Sequence, residues 1–376
     1  MFLGNHKLLI GSYARIVRLT CVCAIVTILI AGLWPFHAPR NNVTWLDRRH
    51  GLQFGHHGSV VSFGDFPARQ SNPDSESLEI WIEAASVSGR HTILAFEGER
   101  RDVPFRLQQD GRALIVQRQN VDERGIRRTA EIRVDGTLLE GKPVSVAVTL
   151  GPHQTSIYVN GAFANSAQIL GNSVDNFTGR LVLGNSPSAS DSWPGQIMEL
   201  AIFGRQLTPE EVTTHYRGLL KGEESTLVAI DNRIAFYPFN ERMGRVIHST
   251  IDRSPALSIP THYFVLNPEF LTPPWRHFHS SLGYWADVAV NVGGFVPLGF
   301  CVYAYFSTLK QVKHSALIAI GLGFVTSLTI EVSQAFLPTR DSGINDLITN
   351  TLGTAIGVMV FRRAWASGLG TAIKTV

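Results

Sequence analysis

The sequence predicts a mixed architecture, an all-α bundle of four transmembrane helices joined to an all-β sandwich inserted between the first and second of them. Three observations lead there. Apolar residues crowd into one stretch near the N-terminus and three near the C-terminus. The long middle consists of short runs of β-branched and aromatic residues separated by turn residues, without a sustained helical period. All three cysteines, Cys21, Cys23 and Cys301, fall in the apolar stretches, so the middle must fold around a packed core without disulfides.

With 376 residues and 44% hydrophobic content, the chain has room for more than one domain. A formal net charge of +3 and the lack of a basic stripe interleaved with aromatics argue against a nucleic-acid partner. Neither a G-x4-G-K-[ST] phosphate loop nor a C-x2-C or H-E-x-x-H spacing occurs.

Residues 1–15 read as a cytoplasmic N-terminus and 16–36 as the first transmembrane helix. A cleaved signal peptide is the rival, since Lys7, Arg15 and Arg18 form a positive leader, but no small-x-small cleavage site follows and Trp34 sits where an interfacial anchor belongs. The remaining helices are expected at 285–306, 315–337 and 344–361, with 362–376 as a cytoplasmic tail. Lys310 and Lys313 between helices two and three, and Arg362 and Arg363 after helix four, fall on the same side as the N-terminal cations if the chain alternates. The excess of cations on cytoplasmic loops then places both termini inside and the middle region outside the membrane.

The sandwich is expected over 48–222. LEIWIEA and KPVSVAVTL alternate faces, and Asn160-Gly161 tolerates the positive φ angles of a tight hairpin turn. At its end, Thr208 as N-cap, Pro209 in the first position and Glu211 in the third predict a capped helix. Residues 223–284 read as a tether with extra strands, its FYPFNERMG segment being a strand packed on the sandwich or a remnant, and its prolines stiffening the approach to the membrane.

The phrases GLQFGHHGSVVSF, LEIWIEAASVSGRHTILAF, PVSVAVTLGPHQTSIYVNGAF and RLVLGNSPSASDSWPGQIMELAIFGRQLTPEEVTTHY resemble the laminin-G-like and concanavalin A-like jelly-roll domains. That resemblance implies glycan or protein binding. A minority of such domains are hydrolases, but no E-x-D-x-E triplet supplies a carboxylate pair here. Some relatives hold calcium in acidic loops, for which Asp65, Asp74, Glu76 and Asp191 are weak candidates against a reading as solvated loop charge. His56 with His57, and His277 with His279, read as polar surface rather than metal ligands.

The apolar helices carry costly groups: Asp287 and Asn291 on the second, Glu331 and Gln334 on the third, Asp346 and Asn350 on the fourth, and Arg340 in the turn before it. Each acid and amide lie three or four residues apart and share a face. The topology puts all seven within roughly two turns of the outer surface. D-x3-N-x2-G occurs at Asp287 and again at Asp346, an internal repeat. Gly294, Pro297, Gly299, Gly353 and Gly357 are candidates for helix packing, the last two forming G-x3-G.

NVGGFVPLGF and EVSQAFLPTRDSGINDLITNTLGTAIG resemble the VanZ-like membrane family, through Asn291, Gly294, Phe295, Pro297, Gly299, Glu331, Gln334, Pro338, Arg340, Asp346, Asn350, Gly353 and Gly357. The resemblance implies a link to glycopeptide antibiotic tolerance. Three functions stay open. The polar layer recognises an envelope lipid or lipid-linked glycan while the sandwich binds a glycan or exported protein; an intramembrane enzyme uses Glu331 or Asp346 as acid or base; or the protein is a scaffold, with Arg340 paired to Glu331 or Asp346. No nucleophile-base-orienter set is visible, which favours the non-enzymatic readings. No cofactor other than calcium is suggested.

Overall fold

The computed structural model describes residues 2–67, 75–121, 124–152, 154–168, 172–173, 176–188, 191–222, 232–274, 282–308 and 312–366. Asp74, His277, His279 and Lys310 lie outside these residues. The chain forms two compact units, Ala38–Asn267 and the combination of Met1–His37 with Pro268–Val376.

The first unit is a sandwich of two antiparallel sheets. One contains β1 (Val43–Trp45), β2 (Leu52–Phe54), β4 (Glu76–Ala84), β9 (Pro143–Leu150), β10 (Gln154–Val159), β11 (Ala162–Gln168), β14 (Gly195–Phe203) and β15 (Arg233–Tyr237), in the order β1-β2-β14-β4-β9-β10-β11 with β15 also on β14. The other contains β3 (Val60–Ser62), β5 (Arg90–Glu97), β6 (Phe105–Asp110), β7 (Ala113–Val121), β8 (Arg127–Val134), β12 (Asn172–Ser173), β13 (Arg180–Leu183), β16 (Val246–Ile247) and β17 (Leu257–Ser258), in the order β12-β7-β6-β5-β13-β3-β17-β16 with β8 also on β7.

Period-two alternation builds the core. Along β4, Leu78, Ile80, Ile82 and Ala84 are buried while Glu79, Trp81 and Glu83 face partly outward. Their inner faces meet Phe96, Phe105, Leu107, Leu114, Val116 and Leu183 from the opposite sheet in one continuous core. The β10–β11 hairpin turns at Asn160 and Gly161 with φ of 51° and 75°, the left-handed pair that this dipeptide favours. Helix α2 (Pro209–Lys221) opens with Thr208 Oγ1 accepting from the Glu211 N–H while the Glu211 carboxylate accepts from the Thr208 N–H.

Much of the segment read as a tether with extra strands packs into the sandwich. Residues 233–259 supply β15, β16 and β17, with β15 antiparallel to β14 and β17 antiparallel to β3. The physical reason is burial: Tyr237, Phe239, Ile247 and Leu257 are wholly enclosed, so this stretch is core rather than spacer. The sandwich closes on its own ends, the Asn41 N–H donating to the Thr261 carbonyl and the Tyr263 N–H to the Pro39 carbonyl.

The second unit contains α1 (Phe2–Leu33), α3 (Leu282–Thr308), α4 (Ser315–Gln334) and α5 (Ile344–Ala364). All four are long and apolar enough to cross a membrane. On α1, Ile16, Leu19, Val22, Val26 and Ile30 are 47% to 62% exposed. An apolar stripe of that length suits lipid rather than water. The helix continues N-terminally well beyond the apolar stretch that begins at Arg15.

Glycines bring α3 and α5 together. A methyl group on Gly353 or Gly357 would overlap the carbonyls of Val292 or Val296, and one on Gly299 would overlap that of Thr354. Gly294 behaves differently from its expected packing role, since a methyl group there meets nothing within 4 Å. Pro297 lies inside α3.

Candidate functional site

The seven polar groups singled out in the helical unit line one cavity of about 440 Å³, with Gly294 and Phe295 also on its wall. Helix ends build it. The N-terminal turns of α3 and α5 provide Asp287, Asn291, Asp346 and Asn350, the C-terminal part of α4 provides Glu331 and Gln334, and the turn before α5 provides Arg340. Ala31 and Gly32 close it from the last turns of α1. A short parallel bridge between Thr272 and Gly343 holds the entries to α3 and α5 side by side, with the Thr272 N–H on the Ser342 carbonyl and the Ile344 N–H on the Thr272 carbonyl.

Four of the groups also fasten the bundle. Glu331 is 1% exposed and its Oε2 accepts from the Gly343 N–H at 2.8 Å, supplying the cap that Gly343 lacks at the start of α5, where a helix end attracts negative charge. Gln334 Nε2 donates to the Gly32 carbonyl at 2.8 Å. Arg340 donates from Nη2 and Nε to the Trp34 carbonyl at 2.6 and 3.2 Å, just past the end of α1. Asn350 Nδ2 donates to Ser327 Oγ at 3.0 Å, tying α5 to α4.

These are bonds to backbone groups and a hydroxyl rather than ion pairs, and among the described residues Arg340 pairs with neither Glu331 nor Asp346. They also leave work undone. Gln334 Oε1 and Asn350 Oδ1 are buried without a hydrogen-bond donor, and Asp287 and Asn291 make no side-chain hydrogen bond or ion pair among the described residues. A second cavity of about 200 Å³ shares Asp287 and Asp346 with the first and adds Tyr284, Asp341 and Asn345.

In the sandwich, the acidic candidates are dispersed. Glu76 is buried in β4, its Oε2 accepting from the Asn176 N–H, whereas Asp191 accepts from Thr92 Oγ1 at 2.6 Å beside the other sheet. Burial raises the Asp191 carboxyl above its ordinary range. Among the described residues no three His, Cys, Asp or Glu side chains come close enough to hold a metal ion. His57 instead packs edge-on against Tyr263.

Asp65 lines a cavity of about 310 Å³ with Glu97, Glu99, Arg101, Arg180 and Asn267. Sequence reasoning missed this group. Glu97 is 3% exposed, Asn267 Nδ2 donates to its Oε2 at 2.5 Å, and burial raises its carboxyl above the usual range. The signal available was a glutamate ending the apolar run of β5, but its partner lies 170 residues on.

Residues 56–213 match the family described as concanavalin A-like lectin/glucanases superfamily, and residues 226–366 match the VanZ/LLP1 family. The chain therefore joins a lectin-like sandwich to a bundle of helices long and apolar enough to cross a membrane. That bundle is VanZ-like, and its family match begins early enough to take in β15, β16 and β17. No curated protein matches the chain. Solved structures similar to it include the botulinum neurotoxin serotype D binding domain, at 16% identity and TM-score 0.36, over 48% of this chain and 45% of that one. The botulinum neurotoxin type G receptor binding domain is similar at 15% identity and TM-score 0.32, over 46% of this chain and 50% of that one. This chain spans half or less of those chains' length.

Proposed function

We propose that this is a non-enzymatic protein of the bacterial inner membrane whose intramembrane cavity recognises the polar head of an envelope lipid or lipid-linked glycan. Both termini face the cytoplasm, and the exported sandwich binds a glycan or another exported protein. The observation that carries the reading is the convergence of seven polar groups on one cavity of about 440 Å³, with two buried carbonyl oxygens still lacking donors. A purely structural cluster would satisfy its own members, because a buried acceptor left unpaired costs about 1–3 kcal/mol. The volume falls within the usual range for small-ligand sites.

Asp287 and Asn291 are the informative positions, since they hold nothing else together among the described residues. Asp287→Ala and Asn291→Ala variants of the full chain are expected to fold and insert normally but to lose the lipid that copurifies with the wild type, read by mass spectrometry of extracted lipid. Identical lipid content in well-folded variants and wild type overturns the reading. Accumulation of a lipid precursor in a deletion strain would instead favour an enzyme.

A further inference from the structure

The cavity changes character along its own axis. Near the end where α1 finishes and α3 begins its wall is polar, with Asp287 on α3 and Gln334 on α4; one or two turns further in, the same helices supply Phe295 and Ile330. Phe295 and Ile330 belong to the apolar core of the bundle, and Ile28 of α1 packs against it, so the floor is hydrocarbon.

One side of the cavity is a cleft. At this end α1 is fastened to α4 and to the turn that follows: Gly32 lies against Ile330, the Gln334 amide donates to the Gly32 carbonyl, and Arg340 donates to the Trp34 carbonyl. Meanwhile α3 presents its Val292 and Val296 carbonyls to the glycines of α5, which puts Val290 and Gly294 on the opposite face, lining the cavity together with Ile28 and Ala31 of α1. Val290 is 71% exposed, and a methyl group on Gly294 meets nothing within 4 Å. Deeper in, Cys21 of α1 joins Leu298 and Val302 of α3 in one core cluster. The two helices therefore diverge toward the polar end. Val290 and Gly294 lie about 12 and 18 Å along α3 from Leu282, a depth among lipid chains rather than headgroups when α3 crosses the membrane.

We infer that the chain of a membrane lipid occupies this cleft, entering sideways from the bilayer between α1 and α3. Its head reaches the polar end of the cavity while its first methylenes lie along Ile28, Val290, Gly294 and Phe295. A polar cavity that opens sideways onto hydrocarbon suits a molecule polar at one end and apolar at the other, because neither water nor a soluble solute lies at that opening. This rests on the reading of the cavity as a lipid-head site and deepens it, by giving the lipid a route and its chain a seat. An acyl chain and a polyprenyl chain share the required chemistry.

The test purifies the full chain carrying Gly294→Leu or Val290→Trp, which fill the cleft, beside the wild type and Val325→Trp on an exposed face of α4. Copurifying lipid is counted and weighed by native mass spectrometry, with the melting temperature in detergent as the folding control. Both cleft variants are expected to retain about tenfold less lipid than the wild type, the worth of a few buried methylenes, and Val325→Trp is expected to retain all of it. The mass of the retained lipid distinguishes an acyl from a polyprenyl chain. Cleft variants that keep their lipid while Asp287→Ala loses it overturn the inference and leave the lipid-head site standing, and so does an equal loss from Val325→Trp. Absence of lipid from the wild type, or equal retention in every variant including Asp287→Ala, overturns both. If filling the cleft unfolds the chain, photolabelling of the wild type decides, with phosphatidylglycerol and a polyprenyl phosphate each carrying a diazirine in its chain. One of these probes should label residues 28–31 and 290–294 more heavily than Leu322 and Val325, and even labelling by both overturns the inference.

Discussion

At the scale of single residues, the polar groups buried in this chain divide into those that are consumed by the fold and those that are not. Arg118 belongs to the first kind. It is 1% exposed, and its guanidinium donates to Asn176 Oδ1 at 3.0 Å, the Gly151 carbonyl at 3.0 Å and Thr155 Oγ1 at 3.3 Å, pinning three connections to β7. Arg118→Ala would strand those acceptors and is expected to destabilise the sandwich by about 3 kcal/mol, seen as an earlier unfolding midpoint of the full chain in denaturant. The side-chain carbonyls of Gln334 and Asn350 belong to the second kind, each buried without a donor. The sequence made the seven polar groups of the helical unit legible because charge is costly among apolar residues and therefore conspicuous. It did not reveal Arg118, since one arginine in a strand pattern looks like an outward-facing position. Nor did it reveal the partner of Arg340, because a backbone carbonyl leaves no mark in a sequence.

Helices and strands repeat the contrast one level up. The cap of α2 was readable from Thr208, Pro209 and Glu211, because its signals are local. It makes a pH prediction. Hydrogen bonds from Arg205 and the Thr208 N–H pull the Glu211 carboxyl from 4.5 down to about 2. A lowered folded-state pKa contributes stability that is complete above pH 4.5 and lost as pH falls toward about 2. Glu211→Gln should therefore flatten the acid limb of a pH-stability profile measured between those limits, and have its largest effect near neutrality. The internal repeat on α3 and α5 was also legible, but its two glycines have diverged in role. Gly353→Ala forces a methyl into the Val292 carbonyl and is expected to cost about 1–3 kcal/mol, lowering the melting temperature in detergent. Gly294→Ala, with open space around it, should leave that temperature unchanged.

For the molecule as a whole, the division into two units was visible in composition, while the boundary was not. Prolines at 255 and 260 suggested a spacer, yet the flanking Tyr237, Phe239, Leu257 and Ile259 are core. Long-range pairing decided what local composition could not, β15 joining β14 across an intervening helix. A fragment ending at residue 222 should accordingly expose core and aggregate. One spanning 38–267 should be monomeric and unfold in a single cooperative transition by circular dichroism.

The closed ends of the sandwich carry a mechanical consequence. Between α1 and α3 the chain leaves and returns through a narrow neck, the antiparallel contact of residues 39–41 with 261–263. Tension drawing those two chain segments apart meets the neck's hydrogen bonds one after another, as in unzipping, before it reaches either sheet. The neck thus yields first under load, ahead of the folded sheets that it closes.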